Sequence, residues 1–524
     1  MYKLKTLKYY LRVIISMNKK FLIPVIAIII LIAGAFAVTN MNKINDASFD
    51  IDAKALEDRG NLVVDNEDKN AENGYYHTQE SDNNTVLVKN GGKLTLSNSA
   101  INKTGDTASS GDDADFYGIN SAILVNTNGS ADISNVKIET NSKGSNGIFV
   151  TNSEASTTGS SGGESSQPPE ATGNGGGEGS QPPEAAGNGG GEAGQPPEAQ
   201  GSGDGQAPNG GGNPGEATVE GHTEANIKNV KITTHGDKSR GLDATYNGII
   251  NADNVEINTD GQSCAALATD RGEGEVHVKN SNINTGVSKT SGRGSPLIYS
   301  TGNITLENSK GTAYVSQIAC IEGKNSIELT DCELTGYGEG NRKDGDSYVD
   351  LGGVFIYQSM SGDADVGTSL FSAKNSKLSI AEDSSVYSQA PMFHITNTAC
   401  VINLENTELS FGSGIFLEAS GQNQWGNEGS NGGQCQLNTD NEKIEGNVIV
   451  DSISSLNWTM KNTEFKGSIN TSGNASVVVG EGSTWTLTGD STLSSLEVKG
   501  NIDYGDYSIT VNGKTYNKSN PFKG

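Results

Sequence analysis

Short apolar runs recur along the chain and are separated by polar clusters rich in Gly, Asn, Ser and Asp. One phrase repeats: an apolar residue, a spacer, Asn, a small residue, a second spacer, then Ile or Leu, as at 96–101 (LSNSAI) and 133–138 (ISNVKI). Its closest copies lie 23 to 28 residues apart. The central position of the copies is held by Asn98, Asn135, Asn229, Asn254, Asn280, Asn308, Asp331, Asn375, Asn406 and Asn462.

A second phrase, a short apolar or aromatic run, precedes these copies. It occurs at 122–125 (AILV), 147–150 (GIFV), 296–299 (PLIY), 354–357 (VFIY), 391–394 (PMFH), 415–418 (IFLE) and 448–451 (VIVD). The clusters between the phrases have the composition of turns. Two or three short strands in each period of roughly 25 residues, without helical stretches, indicate a repeat architecture.

A coil that climbs one strand spacing per turn satisfies this pattern, because each strand then pairs with its equivalent in the next coil. Asparagine tolerates the left-handed backbone of a sharp corner, and stacked amides can form a ladder of hydrogen bonds. The sequence therefore predicts an all-β fold, a right-handed single-stranded parallel β-helix over 84–515. Eleven or twelve coils are expected between Val86 and about Val478.

Several segments depart from the repeat. Residues 154–217 are rich in Gly, Pro and Glu, repeat Gln-Pro-Pro-Glu three times, and are predicted to form a disordered insertion. Residues 39–83 are polar and predict a stalk, and 516–524 form a tail. The atypical segment 480–491 predicts a terminal cap that contains Trp485, because the last coil of a solenoid needs its core covered.

The N-terminal region predicts a membrane anchor. Residues 21–38 contain no charged residue, and this length just spans the hydrocarbon core as a transmembrane helix. The basic residues of 1–20 favour a cytoplasmic N-terminus, which places the bulk of the chain outside a single-pass cell-membrane anchor. In the alternative, signal peptidase cleaves after Ala37 and the protein is secreted.

Composition supports a thin, repeated core and excludes some classes of partner and site. Only 33% of the 524 residues are hydrophobic, whereas 69 are Gly. The formal net charge of −27 disfavours a nucleic-acid partner. The five cysteines are odd in number and form no CxxC pair, so they predict buried single residues rather than a disulfide framework or a zinc site.

Alignment of the apolar runs places a column of residues at the strand ends. It contains Thr245, Thr269, Tyr299, Glu322, Tyr357, His394, Glu418 and Asp451. Aromatic rings stack on sugars, and carboxylates bind hydroxyl groups or Ca²⁺. The last six of these residues therefore predict a ligand-binding site on a flat face, with no obligatory cofactor and Ca²⁺ as an option. The alternative is a solvated sheet face.

Catalysis has two candidate locations. Glu418 and Asp451 on successive coils could form the carboxylate pair of a glycoside hydrolase. Asp270 and Arg271, next to Asp243 and Tyr246 on the neighbouring coil, could serve a polysaccharide lyase, or they could be a surface ion pair at a turn. No catalytic residue is assigned, and no motif of another common enzyme class is present.

The Asn-corner coils, with the phrases at 241–248 (GLDATYNG) and 268–272 (ATDRG), resemble pectin-lyase-like β-helix surface proteins of anaerobic gut bacteria. The resemblance implies an adhesin-like or carbohydrate-binding protein. It favours a monomer that binds a polysaccharide or cell-surface glycan without catalysis. The alternatives are a lyase or hydrolase acting on an acidic polysaccharide and a purely structural surface protein.

Overall fold

The computed structural model describes residues 51–109, 111–153, 221–359 and 361–523. Of the described residues, 52% lie in strands and 2% in helices. Within these ranges the helical elements are a short 3-10 turn at Ala53–Ala55 and one α-helix, α1 (Gly111–Tyr117). The predicted transmembrane helix at 21–38 lies outside these ranges, and inside them no helix is both long and apolar enough to cross a membrane.

The strands before residue 340 are β1 (Glu57–Gly60), β2 (Leu62–Asp65), β3 (Asp68–Glu72), β4 (Gly74–Thr78), β5 (Val86–Lys89), β6 (Lys93–Lys103), β7 (Ile123–Asn126), β8 (Ser130–Thr140), β9 (Ile148–Thr151), β10 (Thr223–Thr234), β11 (Leu242–Thr245), β12 (Gly248–Thr259), β13 (Leu267–Thr269), β14 (Glu275–Lys279), β15 (Asn282–Thr285), β16 (Ile298–Ser300), β17 (Asn303–Glu307), β18 (Lys310–Ala313), β19 (Ala319–Glu322), β20 (Ser326–Thr330) and β21 (Glu333–Gly336).

The later strands are β22 (Lys343–Asp344), β23 (Ser347–Tyr348), β24 (Val354–Tyr357), β25 (Thr368–Lys374), β26 (Lys377–Ile380), β27 (Phe393–Thr396), β28 (Ala399–Glu405), β29 (Glu408–Ser410), β30 (Ile415–Ala419), β31 (Gln434–Asp440), β32 (Lys443–Glu445), β33 (Asn447–Val450), β34 (Ser455–Lys461), β35 (Glu464–Lys466), β36 (Ile469–Thr471), β37 (Asn474–Val479), β38 (Thr484–Thr486), β39 (Ser491–Leu493), β40 (Ser495–Val498), β41 (Asn501–Asp503), β42 (Ser508–Val511) and β43 (Lys514–Asn517).

Two long parallel sheets organise these strands. The front sheet has 13 strands, in the order β2, β5, β7, β9, β11, β13, β16, β19, β24, β27, β30, β33 and β36, and the back sheet has 21. Neighbours pair in parallel, as Ile123 with Ile148 in the front sheet and Ile133 with Ile227 in the back sheet. This arrangement is consistent with a parallel β-helix, so the predicted all-β repeat fold is confirmed at that level. Without β2, 12 of the 13 front strands remain from Val86 onward, within the predicted number of coils.

The back-sheet strands bend where the repeated asparagine stands. Asn135, Asn229 and Asn254 have φ angles of 53°, 56° and 58°, in the left-handed region. The amide of Asn229 donates to Asn135 at 3.1 Å, and that of Asn254 donates to Asn229 at 2.8 Å. Both predicted properties of the asparagine, the corner conformation and the amide ladder, are confirmed.

Inward-facing side chains fill the space between the sheets. Small aliphatic residues such as Val64, Ile133 and Ile257 are almost fully buried in the earlier coils. In the later coils aromatic rings contact one another from coil to coil in edge-on or tilted arrangements, with centroids 4.6 to 5.7 Å apart. These rings belong to Phe371, Phe393, Phe416, Trp458, Phe465 and Trp485. All five cysteines are free and buried, as predicted.

The coils begin earlier than expected, because β1 to β4 lie within the predicted 39–83 stalk. The stalk prediction is therefore wrong for residues 57–78. Leu62 and Val64 alternate with exposed residues in β2 and face the core, and β2 pairs with β5 in parallel. Charged residues on the outer face of these strands hide the alternation in the sequence. Residues 39–50 lie outside the described ranges.

The C-terminal end also differs from the prediction. The segment 480–491 is not the cap, since β38 pairs in parallel with both β35 and β41. Trp485 lies fully buried in the core, and its indole Nε1 donates to the Gly467 carbonyl at 3.0 Å. The end is instead closed by the antiparallel pair β42–β43, which extends two residues into the predicted tail. A strand that reverses direction cannot template a further parallel coil.

The predicted insertion falls between β9 and β10, which pair with the same neighbours as in an uninterrupted repeat. Strand β10 pairs with β8 in register, and β11 pairs with β9. The coil stack therefore resumes directly after the insertion, although residues 154–217 themselves lie outside the described ranges.

Candidate functional site

The outer face of the front sheet is covered over much of its length. Phe149 and Asp243 face outward from the sheet yet are fully buried, and Tyr357 is only 9% exposed. The cover comes from α1 and from the segments 339–350 and 420–432. A cavity of about 340 Å³ lies between these elements and the sheet, and side chains from all three elements line it. The candidate site is therefore a partly covered cavity and not the flat face that the sequence predicted.

The predicted column of site residues is in fact two columns. Tyr299 pairs with Cys320, the next outward neighbour is Phe355, and the column continues to His394 and Glu418. Glu322 pairs with Tyr357, two residues further along the strands. The sequence alignment merged them because it matched the last residue of each apolar run, whereas the strands end at different points in different coils.

Four aromatic side chains form a cluster in the cavity wall: Tyr299, Phe355, Tyr357 and Trp425. The ring of Tyr357 lies 4.6 Å from Trp425 and 4.7 Å from Phe355, measured between centroids. Trp425 comes from the covering segment 420–432. The exposed Arg342 belongs to the covering segment 339–350, and its guanidinium lies 5.9 Å from the centroid of the Trp425 ring.

Glu322 lies behind this aromatic cluster, although it does not line the cavity. The Tyr299 hydroxyl donates to its carboxylate at 2.9 Å, and the Ser359 hydroxyl donates to the other oxygen. Glu322 is 2% exposed, and burial raises the pKa of its carboxyl group. Burial also raises the pKa of Tyr299 and Tyr357. Both phenols therefore stay neutral and can donate hydrogen bonds.

His394 supports the cavity from behind. Its ring lies edge-on to Phe355, at 5.3 Å between centroids, and its Nδ1 is 2.9 Å from the Leu351 carbonyl oxygen. The second contact holds the end of the covering segment 339–350 against the sheet. The structure therefore gives His394 a positioning contact and does not place it at the cavity surface.

Glu418 and Asp451, the predicted carboxylate pair, do not line the cavity. Glu418 accepts a hydrogen bond from the Ser420 hydroxyl at 3.0 Å. Asp451 follows β33 and accepts backbone N–H groups of Gly421 at 2.8 Å and Ile453 at 3.2 Å. These bonds stabilise the start of the covering segment 420–432 and the turn at 451–453. The pairing of the two residues as a hydrolytic site is not supported by their positions.

A buried cluster of charges forms the other side of the cavity. Arg240 binds Asp115 at 2.9 Å and Asp270 at 2.8 Å, and its Nε lies 3.5 Å from Asp243. Burial, together with the neighbouring carboxylates, raises the pKa of Asp270 to about 6 and that of Asp243 well above its ordinary value. The predicted closeness of Asp243 and Asp270 is confirmed, and Arg240 is the residue that joins them.

Arg271 and Tyr246 hold α1 on the sheet. The Arg271 guanidinium lies 4.0 Å from the centroid of the Phe116 ring and binds Asp363 at 2.7 Å. Tyr246 stacks on Tyr117 at 5.6 Å between centroids. Arg271 is thus engaged by a ring and a carboxylate, an arrangement that keeps the guanidinium charged and does not suit a base.

Several cavity residues were not predicted from the sequence, among them Asp115, Arg240, Arg342, Asp350, Phe355 and Trp425. Trp425 carried a usable signal, because a tryptophan in the Gly- and Asn-rich segment 420–432 has no place in a repeated core. The helix α1 had no such signal, since its acidic, Gly-containing sequence resembles a turn. Within the described ranges, no group of three or more His, Cys, Asp or Glu side chains is arranged to hold a metal ion.

No family model matches the chain, and neither a curated protein nor a solved structure matches it significantly.

Proposed function

We propose that this chain binds a single sugar residue of a glycan in the cavity on its front sheet, without catalysis. The observation that carries the proposal is the aromatic cluster in the cavity wall. A sugar ring has apolar C–H faces that stack on aromatic rings, and its hydroxyl groups need polar partners around them. The cavity supplies both, and about 340 Å³ falls at the small end of the range for ligand pockets.

The polar groups of the cavity suit a hydroxyl-rich ring. The Trp425 Nε1–H is buried and has no hydrogen-bond partner among the described residues, so a ligand oxygen would satisfy it. Asp270 and Asp350 line the same cavity and can accept hydrogen bonds from hydroxyl groups. A partly covered cavity of this size favours one terminal or side-branch sugar over the extended polymer that a flat face would bind.

The cellular setting belongs to the same proposal. The chain is a right-handed parallel β-helix of the pectin-lyase-like type, held at the outer cell surface by residues 21–38 or released after Ala37. It acts there as an adhesin-like monomer that contacts glycans. The support comes from the sequence: the uncharged run at 21–38, the basic residues before it and the acidic composition of the remainder.

Calorimetric titration of the full chain with a panel of methyl glycosides tests sugar binding. We expect one or more of them to bind, and Trp425→Ala to weaken that binding by about tenfold or more through loss of the stacking surface. Tyr314→Ala is the matched control, because this tyrosine packs on Tyr337 outside the cavity. Unchanged binding in Trp425→Ala, or no binding by the native chain, contradicts the proposal and favours a purely structural protein.

Hydrolysis or lyase chemistry is a second candidate function, favoured by one observation. The pKa of about 6 for Asp270 would let its carboxyl group exchange a proton near neutral pH. Incubation of the chain with pectin and other acidic polysaccharides, followed by analysis for released oligosaccharides, distinguishes the two functions. Release that disappears in Asp270→Asn establishes catalysis, whereas binding without release supports a binding protein.

A further inference from the structure

Buried carboxyl groups outnumber buried cations around the cavity. Asp115, Asp243, Asp270, Glu322 and Asp350 lie in its wall or directly behind it, and each is at most 8% exposed. Within the described ranges, the only comparably buried cation in this cluster is Arg240, at 9% exposure. Lys238 also pairs with Asp115, but its side chain is 40% exposed. Arg271 is 28% exposed and pairs with Asp363, outside this cluster.

This imbalance leaves carboxyl groups that one guanidinium cannot neutralise. Among the described residues, neither carboxylate oxygen of Asp243 accepts a side-chain hydrogen bond of good geometry, and the Arg240 Nε is 3.5 Å from Oδ2. Burial raises the pKa of Asp350 and Glu322 as well as that of Asp270. A charged carboxylate in such surroundings is stabilised by any additional cation that comes close. An anionic ligand would meet repulsion from the same groups.

The aromatic wall of the cavity is also suited to a cation. The faces of Trp and Tyr rings attract ammonium and guanidinium groups, most strongly where water is excluded. Arg342 already lies against Trp425, but it is exposed and its guanidinium forms no ion pair with a described carboxylate, so it can move aside for a ligand. Aromatic faces and the carboxylates of Asp270 and Asp350 line one cavity, and together they complement a positive charge.

We propose that the sugar recognised by this cavity carries a positively charged amino group, as in a residue of the glucosamine type. This inference rests on the proposed sugar-binding function and narrows it to a substrate class. The ring stacks on the Trp425–Tyr357 side, and its ammonium group is held among the aromatic faces and the carboxylates of Asp270 and Asp350.

Calorimetric titration with four matched probes tests the charge preference: methyl glucosaminide, methyl N-acetylglucosaminide, methyl glucoside and methyl glucuronide. We expect the glucosaminide to bind about tenfold or more tightly than the glucoside, a margin that a desolvated cation–aromatic contact can supply. N-acetylation removes the charge and should abolish the gain. The glucuronide should bind most weakly.

Variants and an additional probe separate this inference from the proposed function. Asp350→Asn should reduce the preference for the amine, whereas the matched control Asp68→Asn, an exposed residue of the back sheet, should keep it. Equal affinity for glucosaminide and glucoside overturns the amine inference and leaves sugar binding intact. If cyclohexylamine binds and none of the sugars does, the proposed function is overturned and the cavity is a cation site. If no probe binds, both the proposed function and the amine inference are overturned.

Discussion

Glu442 is the most unusual single residue of the solenoid outside the cavity. It follows Asn441 at a corner where other coils carry small residues such as Ser376, Thr407 and Thr463. It is 1% exposed, and its Oε1 accepts the Thr407 N–H at 2.7 Å, as serine hydroxyls do at neighbouring corners. Its Oε2 has no hydrogen-bond partner among the residues that the structure describes. Burial raises the pKa of this carboxyl group from 4.5 to about 7.

Glu442 should therefore make stability depend on pH. The folded protein holds the proton more tightly than the unfolded chain, so its contribution is fully present below pH 4.5 and is lost as pH rises through about 7. The loss should reach about 3 kcal/mol. Urea unfolding of native and Glu442→Gln chains between pH 4.5 and 8 measures it. The variant keeps the acceptor and should lack this component, and identical pH profiles would contradict the assignment.

At the scale of elements, the corners of the back-sheet strands depend on asparagine for two separate reasons. The residue must adopt a positive φ angle, 56° at Asn229, and its amide must join the ladder. Asn229 donates to Asn135 and accepts from Asn254, so it takes part on both sides. Glycine would supply only the conformation, and alanine would supply neither.

Replacement of Asn229 separates these contributions. Asn229→Ala should lower the free energy of unfolding by about 2 to 3 kcal/mol, because it adds left-handed strain to the loss of amide hydrogen bonds. Asn229→Gly should lose less, since it keeps the backbone conformation. Denaturant unfolding of the three chains provides the comparison. Equal losses for alanine and glycine would show that the φ angle contributes nothing.

At the scale of the whole molecule, the periodic sequence predicted the repeated coils but not the elements that cover the front sheet. The spacing of Asn98 to Asn462 predicted the corners, the parallel pairing and the number of coils, because every coil obeys the same packing constraint. The covering elements obey no repeat. Helix α1 is anchored by pairs distant in sequence, such as Asp115 with Arg240, and the Thr245 hydroxyl donates to the Phe116 carbonyl at 2.8 Å.

The candidate site was predicted in part for the same reason. Tyr299 and Tyr357 lie on front-sheet strands, so the repeat identified them as outward-facing, and both line the cavity. Glu418 and Asp451 were included only because they end similar apolar runs. Trp425 and Asp350 come from covering segments of irregular length, whose path over the sheet no periodic pattern determines. The closed shape of the site therefore became visible only in three dimensions.

Hydrogen–deuterium exchange of the full chain, with and without a saturating methyl glycoside from the panel, tests the central claim most directly. We predict slower exchange in the covering segments 339–350 and 420–432 when the glycoside is present, because a sugar bound in the cavity would hold both segments against the front sheet. The exposed strands of the back sheet should exchange unchanged. Protection confined to the back sheet, or no protection in the segments 339–350 and 420–432, would contradict a sugar site in this cavity.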